Sequence, residues 1–408
     1  MDSLTQIVLG AAVGEACLGK KLGNRAMVWG AVGGTIPDLD VLSNIFLNEL
    51  DATMFHRSLT HSLPFAVLFP FIMALLARWI YEKGWYKYRR TRIIFYLLSL
   101  LMIGSVVLGI NAIAHQYYGQ VSWILLGLSL LVLVWFGWRW LLRYVQQGDD
   151  IILPSFGEWY NMFFWAFLTH ALLDCMTAYG TQLFFPFDDY RVAINNIAVV
   201  DPLYTIPFLL LLVLAGAYYR KDPMRKYINW AGIGLSSAYL IFTLYNHARV
   251  KQIFRDSLRQ ENIDYDRLIV TPTIFNNALW NGVAQKEDTY YYARYSIFDR
   301  EKRVDYFKKI DGKHHLLAAQ EDYDAYKNLR WFSNGYYSLV DRDSFVQYND
   351  LRYGLFNDER EEDDEFIFYF QLKEKDGDFE AVSTRGSERD DLDMSAAMSK
   401  LWERIQGD

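Results

Sequence analysis

A histidine and an aspartate share one helix face in an apolar stretch that ends near residue 174. His170 and Asp174 are four residues apart, a spacing that puts both side chains on the same side of an α-helix. An imidazole nitrogen and a carboxylate oxygen placed in this way can bind one ion. Ionisable groups in an apolar membrane helix are costly and usually functional. The alternative to a metal site is that His170 only forms a hydrogen bond to a neighbouring helix.

Two of the seven histidines, His56 and His61, lie five residues apart in a second polar segment. On a continuous helix their side chains would diverge by about 140°. They can converge only if the segment is partly non-helical, which the loop before Pro64 permits. Pro64 itself suits the first turn of the apolar helix that follows. Arg57, between the histidines, could clamp a phosphate group or serve as an interfacial anchor.

A third polar segment, Pro37-Asp38-Leu39-Asp40, ends another apolar run. Its two carboxylates can supply hard oxygen ligands, although a plain helix stop and loop would look the same. Histidine and carboxylate together suit zinc, with manganese or iron as further options. We therefore predict one metal site, most simply for zinc, at which the three polar segments meet.

The first 250 residues contain the elements that must position this site. They hold 18 Lys and Arg and 15 Asp and Glu, whereas residues 251–408 hold 23 and 33. The long apolar runs lie in the first part, and Ile93–Ala114 has 22 residues without a charge, enough for a span. We predict an all-α polytopic membrane domain over residues 1–250, with about seven or eight membrane segments. A soluble acidic α+β domain is predicted over residues 251–408.

The basic loops give an orientation. Excess Lys and Arg marks the cytoplasmic side of a membrane, and residues 78–92 and 220–226 are strongly basic. With these loops inside, the three polar segments all fall on the opposite side. We therefore predict a multi-pass protein of the inner membrane, with the site and the tail extracytoplasmic.

The tail is predicted to mix helix and strand. Lys251–Ile263 has the pattern of a polar helix, and three stretches rich in β-branched and aromatic residues are predicted strands. These are Leu268–Thr273, Thr289–Phe298 and Glu365–Lys373. Neither part of the chain has the basic stripe of a nucleic-acid-binding protein, so we expect no nucleic-acid partner. Two cysteines exclude a disulfide scaffold.

Several short motifs recur in the order known from one family. They are Met1-Asp2-Ser3-Leu4-Thr5-Gln6 with Gly10, Ile36-Pro37-Asp38-Leu39-Asp40, His56-Arg57-Ser58-Leu59-Thr60-His61-Ser62, His170-Ala171-Leu172-Leu173-Asp174 with Ala178-Tyr179-Gly180-Thr181, and Asp201-Pro202. Residues 1–250 thereby resemble the bacterial inner-membrane metal-dependent hydrolases of the YdjM-like family. The His-Arg-x-x-Thr-His-Ser element is the most specific part of the resemblance.

The resemblance implies a ligand set and an activity. The family is thought to be distantly related to zinc-dependent phospholipase C. The residues implied as ligands or their supports are Asp38, Asp40, His56, His61, His170 and Asp174. Asp201, which alone would be a helix start, is added by the resemblance. Gln6 stands where many members have histidine, and an amide is a poor zinc ligand, so fewer ions are expected here.

The favoured function is metal-dependent hydrolysis of a phosphoester or lipid-like substrate at the outer membrane face. Asp38 or Asp40 would act as base or bridging ligand, and Arg57 would hold a phosphate. The expected partners are the lipid bilayer and a phospholipid or phosphoester substrate. Two alternatives stay open: a non-enzymatic scaffold with a structural metal and a partner-binding tail, and a transporter. The sequence does not define the oligomeric state.

Overall fold

The structure is a computed structural model that describes residues 1–94, 96–97, 100–101, 104, 121–141, 151–356, 365–375, 377–383 and 394–407. Helices dominate the described part of residues 1–260, apart from the non-helical stretch 175–201, and two antiparallel sheets with further short helices follow.

The chain begins with a tightly packed helical hairpin. Helix α1 (Ser3–Leu22) is capped by the side chain of Asp2, and α2 (Asn24–Thr35) follows after a single glycine. Where the two helices cross, a Cβ added at Gly10 would collide with the carbonyl oxygen of Gly30. Gly10 and Gly14, like Gly30 and Gly34, are four residues apart, a spacing that lets two helix backbones approach closely. The hairpin therefore has no room for larger side chains at the crossing.

Among the described residues, the other helices of this part are α3 (Glu49–Phe55), α4 (Leu63–Glu82), α5 (Val121–Trp140), α6 (Phe156–Asp174), α7 (Pro202–Ala217) and α8 (Pro223–Gln260). Within the same described ranges, 3₁₀ helices form at Pro37–Ile45, Leu59–His61 and Trp85–Lys87.

Helix α6 is the central helix around which α1, α2 and α4 pack. Trp159, Phe163 and Phe167, four residues apart, are fully buried. The same face continues through His170 to Asp174, because these residues extend the i, i+3, i+4 pattern. The apolar stripe therefore determines where the polar pair points.

The prediction of seven or eight membrane segments is wrong. Among the described residues only α4 is long and apolar enough to cross a membrane. Helices α2 and α7 have 12 and 16 residues, fewer than the roughly 20 that a span needs. Charged residues interrupt α1 at Glu15 and populate the second half of α8. The predicted span Ile93–Ala114 lies largely outside the described residues.

The described residues of the tail form two four-stranded antiparallel sheets with the strand orders β1-β2-β3-β4 and β5-β6-β7-β8. The first sheet comprises β1 (Arg267–Pro272), β2 (Leu279–Lys286), β3 (Thr289–Ser296) and β4 (Lys308–Asp311). The second comprises β5 (Tyr337–Arg342), β6 (Phe345–Asp350), β7 (Tyr369–Lys375) and β8 (Asp378–Ser383). Helix α9 (Asp324–Phe332) lies between the sheets in sequence, and α10 (Met394–Ile405) follows them. Strands β1, β3 and β7 overlap the three predicted strands.

Buried apolar side chains fasten both sheets to the helical part. Helix α8 runs through the predicted domain boundary at residue 250, and its buried Phe254 packs with Trp280 of the first sheet. Leu50 of α3 lies in the core of the second sheet, with Leu339. The segment that connects α2 to α4 is therefore held between the helices and the second sheet.

Candidate metal centre

Helix α6 supplies two side chains of the centre. Its first turn is fixed by a capping box between Ser155 and Glu158, in which each residue satisfies a free N–H of the other. At its other end His170 and Asp174 are 1% and 0% exposed. Nε2 of His170 lies 3.4 Å from Oδ2 of Asp174, so the i, i+4 pair does converge.

A non-helical segment brings His61 to the same place. His61 ends the 3₁₀ helix Leu59–His61, and the next residue, Ser62, caps α4 by accepting a hydrogen bond from Phe65 N. This break in helical geometry turns the His61 side chain towards α6, where it is 1% exposed.

Arg57 has a backbone conformation that is rare for a side-chain-bearing residue, with φ of 62°. Two hydrogen bonds hold it: Arg57 N donates to Oδ2 of Asp40 at 3.0 Å, and Gln182 N donates to the Arg57 carbonyl at 2.9 Å. Backbone strain that is held by its surroundings is common at functional sites. Here it reverses the chain between His56 and His61.

Four donor atoms converge at the centre: Oδ1 of Asp38, Oδ2 of Asp174, and Nε2 of His61 and of His170. His61 Nε2 lies 3.4 Å from the Asp38 oxygen and 3.2 Å from the Asp174 oxygen. His170 Nε2 lies 3.4 Å from each of these oxygens and 3.0 Å from His61 Nε2. Tetrahedral bonds of about 2.0–2.1 Å place ligand atoms about 3.3 Å apart. The four atoms could therefore hold one small divalent ion.

Oxygens of both carboxylates also lack donors. Oδ2 of Asp174 and Oδ2 of Asp38 are buried and accept no hydrogen bond from any described residue. A buried acceptor without a partner costs about 1–3 kcal/mol, and more when it is charged. A cation bound at the centre would offset this cost at Oδ2 of Asp174, which is one of the four donor atoms, whereas Asp38 faces the centre with its other oxygen, Oδ1.

The ring nitrogens that face away from the centre have partners that fix their protonation. Nδ1 of His170 lies 2.8 Å from the carbonyl oxygen of Gly34. A carbonyl can only accept, so Nδ1 carries the hydrogen and the Nε2 lone pair points at the centre. Nδ1 of His61 lies 3.3 Å from Oδ2 of Asp40. Carboxylate or carbonyl partners of this kind orient metal-binding histidines.

Asp40 and His56 are not among the four donor atoms but lie behind His61, where Asp40 contacts both histidines. Oδ1 of Asp40 is 2.7 Å from Nδ1 of His56, and Oδ2 also accepts from the Thr60 hydroxyl at 3.0 Å. The His56 ring is 5.9 Å from the His61 ring, centre to centre, and its side chain is 28% exposed. The structure thus places Asp40 against two histidines and not in the group of four.

Asp174 is also held on its far side. Its Oδ1 accepts from Gln6 Nε2 at 3.0 Å, contacts the Met1 amino group and lies 3.4 Å from Arg57 Nη2. Arg57 Nη1 donates to the Thr177 hydroxyl at 2.8 Å. Gln6 therefore orients a carboxylate of the centre through its amide.

Opposing effects set the protonation of the centre without metal. Burial lowers the pKa of His61, but Asp174, Asp38 and Asp40 outweigh it and raise that pKa to about 10. Burial raises the pKa of Asp174, but Arg57, the Met1 amino group and the two histidines hold it well below its usual value. The carboxylates therefore attract a positive charge, which is a proton on His61 when no metal is present.

Asp201 lies elsewhere. It caps α7, where its Oδ1 accepts from Leu203 N at 3.0 Å and Tyr204 N at 3.3 Å. Its Oδ2 accepts from the Tyr239 hydroxyl at 2.9 Å. The structure does not bring it to the group of four.

Two contributors had not been singled out from the sequence. Gly34 offers a backbone carbonyl, which no side-chain motif can show. Arg191 donates from Nη2 to the His56 carbonyl at 2.7 Å and stacks on Tyr179, 4.7 Å from the ring centre. A lone arginine in an irregular loop gives no spacing signal.

The helical frame, the candidate span α4 and the buried group of two histidines and two aspartates define a membrane-associated helical protein with a candidate metal centre. Residues 1–250 match the family model of the YdjM inner membrane protein, and the chain belongs to that family. The family points to the inner membrane. No curated protein and no solved structure gives a significant match.

Proposed function

We propose that the chain is a membrane-bound hydrolase that uses one zinc ion to cleave a phosphoester or lipid-like substrate. The main support is the spacing of the donor atoms of Asp38, His61, His170 and Asp174, which all lie within 4.8 Å of one another. Every pair that includes a histidine nitrogen is 3.0–3.4 Å apart. Sets of histidine and carboxylate are typical of catalytic zinc, whereas structural zinc is usually bound by cysteines. Bound zinc would supply a water of lowered pKa, about 7, and would polarise the scissile group.

Asp38 lies on the side of the centre from which a substrate could approach. Its side chain is 15% exposed, whereas those of His61, His170 and Asp174 are 0–1% exposed. A carboxylate at the opening can orient a water and accept its proton. We assign Asp38 this role, so that His61, His170 and Asp174 would hold the ion and leave its fourth position to the water, with Asp40 orienting His61 behind the centre.

Arg57 supports the anionic side of the reaction. Its guanidinium lies 3.4 Å from Asp174 Oδ1, and its Nε has no hydrogen-bond partner among the described residues. A planar guanidinium suits phosphate oxygens. In this proposal the guanidinium, whose side chain is 4% exposed behind Asp174, holds that carboxylate in place and puts a positive charge near the anionic phosphate.

The outer membrane face is the favoured location of the centre. The C-terminal end of α4 leads into a basic segment that includes Arg78, Lys83, Lys87 and Arg89, and such segments favour the cytoplasmic side. The centre lies just before the N-terminal end of α4, and Leu50 of the same segment packs into the second sheet. Both the centre and the tail would then be extracytoplasmic, which requires that the chain crosses the membrane a second time between the basic segment and His170. A reporter fused after residue 408 that works only in the cytoplasm would contradict this orientation.

The test of catalysis measures hydrolysis of a chromogenic phosphodiester and of a fluorescent phospholipid by the zinc-loaded protein. His170→Ala and Asp174→Ala should lower the rate at least about 10- to 100-fold. His314→Ala is the matched control, because His314 also pairs with a carboxylate, Asp288 at 2.9 Å, but lies in the tail. Full activity in both site variants would refute the assignment.

A structural zinc is the second candidate. Four protein donors can close a tetrahedral site, and here they join three elements: Pro37–Ile45, Leu59–His61 and α6. In that case the site variants lower the melting temperature, because bound metal adds folding free energy. Loss of stability together with an inactive wild type would favour this reading.

A further inference from the structure

The 3₁₀ helix that carries Asp38 also exposes a row of apolar side chains. Residues three apart lie on the same face of such a helix, so Leu39, Leu42 and Ile45 align. They are 49%, 53% and 70% exposed. With Val41, Phe46 and Leu47, which are 52%, 85% and 41% exposed, they form what we call the apolar ridge.

The 3₁₀ helix Pro37–Ile45 carries the ridge on one face and Asp38 and Asp40 on the other. Asp40 is 6% exposed and lies on the inner side, where it binds His56 and the Arg57 backbone. Asp38 points at His61 and His170. Both charges of the segment are thus turned inward, and its outer side is apolar apart from Ser43 and Asn44. Any surface that covers the ridge therefore lies beside the centre.

The ridge lies at the level where the candidate span begins. His61, 3.4 Å from Asp38, is two residues before Leu63, the first residue of α4. The outer face of α4 is itself exposed, with Leu68 at 69%. A second exposed group, Phe184 at 45% and Phe187 at 86%, follows Leu183, whose carbonyl accepts from Leu63 N at 2.9 Å.

We propose that the apolar ridge inserts into the lipid bilayer around the start of α4. Large exposed apolar surfaces mark interaction sites, and continuity with the span identifies lipid as the occupant. Interfacial segments bury their apolar face about 5–10 Å into the headgroup and acyl boundary. Glu49 and Asp51, which are exposed beside the ridge, would repel anionic headgroups. Insertion therefore depends on apolar burial and not on electrostatic attraction to the headgroups.

Insertion would place the metal centre at the level of the phospholipid headgroups. If the proposed function holds, the substrate class follows: a phosphoester of a membrane lipid, reached from the side of Asp38, in preference to a soluble phosphoester.

Spin labels test the insertion independently of catalysis. The full chain, with Cys17 and Cys175 replaced by alanine, is labelled at Ile45→Cys or Phe46→Cys in phosphatidylcholine nanodiscs. Leu68→Cys on α4 is the membrane reference, and Phe298→Cys, at a 60% exposed position after β3, is the matched apolar control. The proposal predicts that labels at 45 and 46 relax with oxygen more than with a water-soluble chromium complex, as at 68 and unlike at 298.

Two results would overturn the insertion. Labels at 45 and 46 that behave like the label at 298 would place the ridge in water. Dipolar broadening between labels, lost on dilution with unlabelled protein, would show that a second copy of the chain covers the ridge.

The substrate class has its own measurement. The double variant Ile45→Ser/Phe46→Ser should lower the ratio of phospholipid to soluble phosphodiester hydrolysis at least about tenfold, since two large apolar contacts with lipid are lost. An unchanged ratio would contradict the role of the ridge in substrate access. A wild type without hydrolysis of either substrate would refute the proposed function, while the spin labels would still decide the insertion.

Discussion

Two buried charged groups in the helical part differ in how their charges are balanced. In the first, Glu15 of α1 pairs with Arg225 of α8, and Arg225 also donates to Asn24 Oδ1 at 2.6 Å and to the Tyr218 carbonyl at 3.1 Å. In the second, two aspartates and two histidines converge, and oxygens of Asp38 and Asp174 lack donors among the described residues.

The difference separates a structural contact from a candidate metal site. Both carboxylate oxygens of Glu15 accept hydrogen bonds from the guanidinium of Arg225. The two charges therefore balance, and the pair needs no further ion. The group at Asp38 and Asp174 has an excess of acceptors, which raises the pKa of His61 to about 10. Excess acceptors at tetrahedral spacing are what a cation requires.

Removal of ligands should have the largest effect. His61→Ala/His170→Ala leaves two carboxylates as the only donors of the group of four, too few for the usual tetrahedral site. We expect no zinc to remain after dialysis, measured as metal content per chain. Retention of stoichiometric zinc in this double variant would mean that the ion, if any, binds elsewhere.

Acid should weaken binding strongly. Without metal, His61 keeps its proton until the pH approaches its raised pKa of about 10, and a ligand must be neutral to bind metal. Each pH unit lowered below that value should therefore cost about tenfold in zinc affinity. Competition with a chelator of known affinity at pH 6, 7 and 8 measures this. An affinity independent of pH over that range would exclude protonated His61 as the competitor.

Asp40→Asn should have an intermediate effect. The asparagine keeps the shape but loses the charge that faces Nδ1 of His61, 3.3 Å away. Loss of such an orienting partner typically costs about 10- to 100-fold in metal affinity. Asp201→Asn serves as control, since Asp201 caps α7 away from the centre. An equal loss in both variants would point to a general effect on folding.

Arg225→Met should leave metal affinity unchanged while it destabilises the fold. It strands the buried Glu15 carboxylate, which typically costs about 3–5 kcal/mol. Glu15→Leu/Arg225→Met removes the whole pair and should recover most of that loss. Melting in detergent together with zinc content checks both. A loss of zinc that parallels the loss of stability would remove the distinction between the two groups.

The spacing of residues in the sequence predicted part of the fold and part of the candidate site. The i, i+4 rule placed His170 and Asp174 on one face, and the proline after His61 indicated the break that turns it inward. Spacing could not rank Asp38 against Asp40, because the 3₁₀ turn that directs them to different partners depends on contacts with His56 and Arg57. Hydropathy overcounted the spans, since polar residues such as Glu15 find partners inside the protein and interrupt runs that look continuous.

The most direct test is zinc-edge X-ray absorption of the zinc-loaded protein, with metal content measured in parallel. The structure predicts one ion per chain with two imidazole nitrogens, carboxylate oxygens for the other protein ligands, and bonds of about 2.0–2.1 Å. Asp38→Ala/His170→Ala should abolish this spectrum, and His314→Ala should leave it intact. Sulfur ligands, a single imidazole, or the same spectrum in the double variant would contradict a centre formed by Asp38, His61, His170 and Asp174.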